Sequence, residues 1–313
     1  MTIKIEILDG GMGRLLEAIG APFRLPEWSA LSLIEAPEYV TEAHQLYAES
    51  GASILTTNSY GLVPGMLGQE RFDNEAEALA NRAGALAREV ADQYKNIRVA
   101  GSIPPLFESY RPDLYQADQA AAILRPLISG LKPFIDIWLI ETQSSIRESL
   151  DALKEIRRYS DAPVYISYTL KDEVGRTSPS QLRSGEDIAE MVQHILPTGV
   201  AAILFNCSQP EVMSDAIQKT VSAIQQSGHI TVRVGVYANA FLPEPPSDTP
   251  YAGISQLRPD MDPPHYLAWA QKWLDDGASI IGGCCGIGPE HISFIRQHLG
   301  EISPVQSIHL REI

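Results

Sequence analysis

A (β/α)8 TIM barrel, formed as a single domain by residues 1–313, is the fold class this chain predicts. Three observations predict it. Eight short apolar runs alternate with about eight helical stretches. The runs are near-continuous in apolar and β-branched residues, as strands buried on both faces are. The length of 313 residues suits a barrel of about 250 residues with insertions. An open doubly wound sheet is the runner-up, but no G-x-G-x-x-G turn here leaves a strand and opens a helix.

In chain order, the runs at 5–8, 52–55, 97–100, 136–140, 164–167, 200–205, 231–236 and 278–281 read as strands. The first ends at Asp9-Gly10-Gly11-Met12-Gly13, where glycines let backbone approach a ligand closely. The Pro- and Trp-containing stretch 22–37 reads as an irregular loop. Helical spacing follows at Val40, Ala43, Leu46 and Tyr47, with Gly51 as the C-terminal stop. Further helices are expected over 73–94, 118–132, 145–159, 185–196, 210–226 and 264–276, and Pro289 opens a last one. Two stretches read as long irregular loops, 103–117 and 240–259, the second carrying five prolines at 243–259.

With 44% hydrophobic and 20% charged residues, the composition is that of a folded globular protein. A formal net charge of -15 argues against nucleic acid or an anionic membrane surface as partner, since both need clustered Lys and Arg. No apolar run approaches the roughly 20 residues of a membrane span. Three cysteines do not suit a disulfide framework, and the first residues lack the apolar core of a signal peptide. A cytoplasmic protein with reduced thiols is expected, and a homo-oligomer is compatible with the sequence.

In a barrel, functional groups sit at the C-terminal ends of strands. Asp9, Asn58, Glu141, Asn206, Cys207, Tyr237, Asn239, Cys284 and Cys285 all fall there. The eighth run leads into Ile280-Ile281-Gly282-Gly283-Cys284-Cys285-Gly286 and the sixth into Asn206-Cys207. All three thiols of the chain are therefore expected on one rim. One possibility is a metal site. Three thiolates suit a soft or borderline metal, zinc being the common non-redox one, and leave a fourth tetrahedral position open. The alternatives are small buried apolar residues or a vicinal disulfide. The seven histidines fall in helices, turns or the tail and do not join the cysteines. A site of three thiolates is a poor activator of water. It suits holding a fourth thiol as a nucleophile at neutral pH, and hence alkyl transfer to a thiol.

The motifs Asp9-Gly10-Gly11-Met12-Gly13, Gly51-Ala52 through Thr57-Asn58-Ser59-Tyr60, Ile140-Glu141-Thr142, Asn206-Cys207, Tyr237-Ala238-Asn239 and Gly282-Gly283-Cys284-Cys285-Gly286 occur in this order over nearly the whole chain. Together they resemble the homocysteine S-methyltransferase family. The resemblance implies a barrel enzyme carrying Zn2+ on Cys207, Cys284 and Cys285, with no acid–base residue, that methylates homocysteine to methionine. It places the amino-acid end of homocysteine near Asp9, Gly10 and Glu141. Physically, Glu141 suits an ammonium, and glycine-rich backbone offers N–H groups to a carboxylate. The plainer alternatives are a turn acceptor for Asp9 and a helix N-terminal carboxylate for Glu141. Asn206 is a candidate for orienting its neighbouring ligand or for capping the helix that follows. Tyr60 and Tyr237 are candidates for lining the donor pocket, or for ordinary rim packing.

The chain departs from the family pattern at two rim loops. It has Gly101-Ser102-Ile103-Pro104-Pro105 where a Gly-Ser-x-Gly-Pro run is usual. It has Tyr237-Ala238-Asn239-Ala240-Phe241 where a glycine commonly stands in place of the aromatic. Both changes bear on the methyl donor and leave the thiols alone. The chain has no room beside a full barrel for separate folate and cobalamin domains. A small onium donor is expected: a sulfonium such as S-methylmethionine or S-adenosylmethionine, or else betaine. The alternatives are another thiol acceptor, a non-catalytic zinc- or thiol-binding barrel, and a carboxylate-based lyase using Asp9 and Glu141.

Overall fold

A computed structural model describes residues 5–228, 231–242 and 256–299. The strands are β1 (Glu6–Ile7), β2 (Ile54–Thr56), β3 (Arg98–Ile103), β4 (Ile137–Gln143), β5 (Val164–Tyr168), β6 (Ala202–Asn206), β7 (Arg233–Tyr237) and β8 (Ile280–Ile281). Each pairs in parallel with its sequence neighbour from β2 through β8, and β1 pairs with β8. A parallel bridge between Leu8 and Ile54 joins the end of β1 to β2 and closes the ring. This is the (β/α)8 barrel expected from the alternation of apolar runs and helices.

The helices are α1 (Met12–Ala18), α2 (Ser29–Glu35), α3 (Pro37–Glu49), α4 (Pro64–Leu67), α5 (Gln69–Ala91), α6 (Ala117–Leu131), α7 (Ile146–Ile156), α8 (Ile188–Ile195), α9 (Met213–Ser227), α10 (Pro263–Asp275) and α11 (Pro289–Leu299). Side-chain caps set the starts of three of them, α7, α8 and α10. Asp187 accepts from Ala189 N at 2.7 Å and Asp262 from His265 N at 3.0 Å, which sets where α8 and α10 begin. At α7 the Ser145 hydroxyl caps Glu148 N, and the Glu148 carboxylate reaches back to Ser144 N and to the Ser145 hydroxyl. Such a reciprocal cap satisfies two orphan donors.

Strand alternation builds two apolar layers. On β4, Ile137 and Leu139 point into the barrel, whereas Trp138 and Ile140 pack outward under the helices. Leu8, Ile54, Ala100, Tyr165, Ala202, Leu204, Tyr237 and Ile280 fill the interior with them. The same period of two carries the inward face one step further, to Thr56, Ser102, Glu141, Ser167 and Asn206. The uppermost interior layer is therefore polar, and it sits where the strands end.

The structure corrects several sequence-based boundaries. The stretch 22–37 is not wholly irregular, because α2 lies within it. Ala30, Leu31 and Leu33 of that helix are buried, and Pro37 stops it by disfavouring helical backbone at Ala36. Strand β3 runs past residue 100 to Ile103, and β4 past Ile140 to Gln143 through a break in register where Thr142 takes φ +57°. The eighth strand begins at Ile280 rather than at 278 and ends at Ile281 as expected. His44 is buried in α3, where burial lowers its pKa to about 4, and His291 bonds Met261 O at 2.8 Å. Both are packed helix residues. His229, His309, residues 243–255 of the five-proline loop and the C-terminal tail lie outside the described residues.

Candidate metal centre

The Sγ atoms of Cys207, Cys284 and Cys285 all lie within 4.8 Å of one another. Cys207 and Cys285 are 3.8 Å apart, and Cys284 and Cys285 are 4.0 Å apart. A tetrahedral ion with Zn–S bonds of about 2.3 Å needs sulfurs about 3.8 Å apart. The three side chains fit that ion. The separations are too long for a disulfide bond, which is about 2.05 Å.

Local sequence explains how adjacent cysteines both face inward. Residues 284–287 form a turn closed by Ile287 N donating to Cys284 O at 3.1 Å. Gly286 occupies its third position with φ +82°, which a glycine adopts without steric cost. The turn is held from both sides. Gly283 N donates to Asp9 O and Gly11 N to Ile287 O, both at 2.9 Å, from the β1 end. Cys284 N donates to Ala238 O, and Cys285 O accepts from Ala240 N, at the β7 end. Gly10 sits against this turn so closely that a Cβ there would stand 2.2 Å from Ile287 O. Cys207 reaches the turn from the end of β6 with φ +48°.

Three of the five described non-glycine residues with positive φ are Cys207, Thr142 and Tyr110. Their convergence at one rim is a mark of a site whose geometry is imposed by its surroundings. Asn206 supplies much of that imposition. Its Oδ1 accepts from Thr142 N at 3.0 Å and from the Ser167 hydroxyl at 2.7 Å, and its Nδ2 donates to Thr142 Oγ1 at 2.8 Å. The side chain thus ties β4, β5 and β6 together one residue before Cys207.

Among the protons of the three thiols, that of Cys207 leaves first. Hydrogen bonds from Cys284, Cys285 and the Tyr110 hydroxyl pull its pKa well below the ordinary thiol value, against its burial. The same interactions push Cys284 and Cys285 up. A divalent cation is what would let all three ionise together.

The two carboxylates sit in the polar top layer. Glu141 accepts from the Ser102 hydroxyl through Oε1 and from the Tyr237 hydroxyl at 3.3 Å through Oε2. Burial raises its pKa to about 7, against the Ser102 and Tyr237 bonds. Asp9 accepts Thr56 N at 2.6 Å and Thr56 Oγ1 at 2.8 Å, one on each oxygen. Burial raises Asp9 likewise to about 7, against both Thr56 bonds. Tyr60 is half-buried and its hydroxyl bonds Ser109 at 2.7 Å, whereas Tyr237 is buried.

Sequence reasoning missed the hydroxyls that bind these groups, Thr56, Ser102 and Tyr110. The first two follow from counting strand alternation upward from the apolar layer. Tyr110 carries no periodic signal, because it lies on an irregular loop. Phe241, the aromatic in place of a glycine, does not take a left-handed backbone. It forms an antiparallel bridge with Leu257, and the Arg14 guanidinium lies 5.4 Å from its ring centre.

The model of the family described as homocysteine S-methyltransferase matches residues 6–299. The chain belongs to the homocysteine S-methyltransferase family. Its relatives include homocysteine S-methyltransferase 1 of Brassica oleracea var. italica, 27% identical over 94% of this chain and 93% of that protein. Selenocysteine methyltransferase of Astragalus bisulcatus is 24% identical over 92% of this chain and 90% of that one. The crystal structure of the homocysteine methyltransferase MmuM from Escherichia coli, in its metallated form, superimposes with a TM-score of 0.75. It is 25% identical and covers 94% of this chain and 96% of its own. In a member of this methyltransferase family, the cluster of Cys207, Cys284 and Cys285 is a group that could hold a metal ion.

Proposed function

We propose that this protein transfers a methyl group from a small onium donor, a sulfonium in the first instance, to the thiol of L-homocysteine, giving methionine. The observation that carries the reading is the gathering of Cys207, Cys284 and Cys285 at one rim of a barrel that matches the family model over 6–299. These three residues would hold Zn2+. Zinc bound there supplies a soft Lewis acid that lowers the pKa of an incoming thiol and keeps it ionised at neutral pH.

The remaining parts follow from the chain's own residues. Glu141 is nearly enclosed and still has unused lone pairs, so an ammonium arriving beside it would gain a carboxylate partner. Asp9 and Gly10 stand at the opposite side of the cysteine turn, where we place the rest of the amino-acid group. In the Asp9 carboxylate both oxygens already accept from Thr56, so its direct part is to keep β1 and β2 in register beneath the substrate. Asn206 positions Thr142 and the chain entering Cys207. Tyr60, half-buried after the end of β2, offers an aromatic ring that suits an onium cation, whereas Tyr237 lies buried in the barrel with its hydroxyl on Glu141.

The sulfur–carbon bond forms as the sulfonium carbon–sulfur bond breaks, and its electron pair leaves on a neutral thioether. The thiol proton departs to solvent before this step. The leaving group is a neutral thioether, so no general acid is needed. The test is to incubate zinc-loaded protein with homocysteine and S-methylmethionine, S-adenosylmethionine or betaine, and to follow methionine by mass spectrometry. Selenocysteine belongs in the acceptor panel. Methionine from one sulfonium is expected, and none from any donor would contradict the reading.

A further inference from the structure

Tyr110 lies outside every motif by which the site is recognised. It sits on the loop between β3 and α6, with φ +67°, a conformation that a bulky residue adopts only when its surroundings hold it there. Its hydroxyl donates to Cys207 Sγ at 2.9 Å. The Arg183 guanidinium, from the loop between β5 and α8, lies over its ring at 4.9 Å from the centre. Arg183 is itself fixed, by Asp172 Oδ1 at 2.7 Å and by the Thr169 hydroxyl at 3.2 Å. Two loops that are far apart in sequence therefore meet over one sulfur, and the contact between them ends in a hydrogen bond to it.

We infer that Tyr110, clasped by Arg183, is a positioning residue of the metal centre, whose hydroxyl sets the charge that Cys207 Sγ presents to a bound ion. Three thiolates around a divalent cation leave the site with excess negative charge. A hydroxyl donor on one sulfur draws part of that charge away from the metal. The cation over the phenol ring favours this polarisation and holds the ring in place. Groups that bond to metal ligands orient them and tune the ion, and their loss typically costs roughly ten-fold or more in affinity. The clasp also explains why a loop residue is kept in a costly backbone conformation. A phenol that only covered the mouth would not need its hydroxyl aimed at sulfur.

This inference rests on the proposed metal centre, and the experiment separates the two. Cobalt(II) is loaded into the reduced full-length protein and into Tyr110→Phe, and the sulfur-to-cobalt charge-transfer absorption is recorded. Zinc affinity is measured alongside by competition with a chelator. Without the hydrogen bond, Cys207 becomes a stronger electron donor. The charge-transfer band of Tyr110→Phe is expected at longer wavelength, with zinc affinity lowered roughly ten-fold. The variant keeps the ring and its stack on Arg183, so a purely structural role would leave the band in place. An unmoved band and unchanged affinity would overturn the inference. Arg183→Met offers a second reading, with a smaller shift expected in the same direction; if Tyr110→Phe fails to fold, an unmoved band in Arg183→Met overturns it. Failure of the unaltered protein to bind cobalt or zinc at all would instead remove the metal centre itself.

Discussion

At the scale of single residues, the site depends on charges that burial makes costly. Glu141 is held protonated up to about pH 7 by desolvation, and its proposed pairing with the homocysteine ammonium requires that proton to leave. Homocysteine binding should therefore weaken as pH falls below about 7, approaching ten-fold per unit for this group. Glu141→Gln should weaken binding by roughly 1.5–3 kcal/mol, the range for a hydrogen bond to a charged group. It should also flatten the pH dependence, both read from KM for homocysteine between pH 5 and 8. Asp9, Glu141 and Glu148 all have pKa values raised from the carboxyl range to about 7, chiefly by burial. Between about pH 4 and 7 the folded state binds more protons than the unfolded one, so these groups make the substrate-free protein less stable as pH rises. Melting temperatures at pH 5 and pH 8 check the sign. Added homocysteine should recover more of the melting temperature at pH 8.

At the scale of elements, the rim is built from strand ends that are locked to one another. Asn206 spends its amide on Thr142 and Ser167, so Asn206→Ala strands buried partners on two neighbouring strands. A loss of roughly 2–4 kcal/mol is expected in denaturant unfolding, from unsatisfied groups at about 1–3 kcal/mol each. Gly10 acts through the turn that carries two of the sulfurs. Gly10→Ala would drive a methyl group into Ile287 O, so it should cost roughly 1–3 kcal/mol. Unlike a change in the distant core, it should also weaken zinc binding. The elements themselves were largely legible in the sequence. Buried parallel strands are apolar on both faces, so runs such as 164–167 and 200–205 stand out. What escaped was decided by contacts made after folding. The α2 helix is short and flanked by prolines, and it is held by the burial of Ala30, Leu31 and Leu33 and by hydrogen bonds from Asn58 to Ser29 O and from Ser32 to Pro22 O. The extension of β4 passes through Thr142, whose left-handed backbone depends on Asn206, 64 residues away.

At the scale of the whole molecule, the two ends of the barrel do different work. The bottom is closed by Glu6, which pairs with Arg98 at 2.6 Å and Arg233 at 2.5 Å and accepts the Tyr165 hydroxyl at 3.3 Å. These pairs are partly exposed, so Glu6→Gln should cost roughly 1–3 kcal/mol, less than for a fully buried pair. It should leave zinc content and the KM for homocysteine unchanged, because the chemistry lies at the other end. The candidate site was readable in sequence to the extent that barrel topology sends strand ends to one mouth. That placed Cys207, Cys284 and Cys285 together from positions 77 and 78 residues apart. The hydroxyls of Thr56, Ser102 and Tyr110 were not readable, since their part depends on which side chain each one meets. Among the described residues no helix is long and apolar enough to cross a membrane.

The proposed methyl transfer requires that the three sulfurs hold a metal. The most direct measurement is zinc content of the reduced, purified protein and of Cys207→Ser, with methionine formation followed on the same samples. About one zinc per chain is expected for the unaltered protein, as three protein ligands would hold it. The Cys207→Ser variant should lose the metal and methionine formation together. A metal-free unaltered protein that still forms methionine, or full activity in Cys207→Ser, would contradict the account.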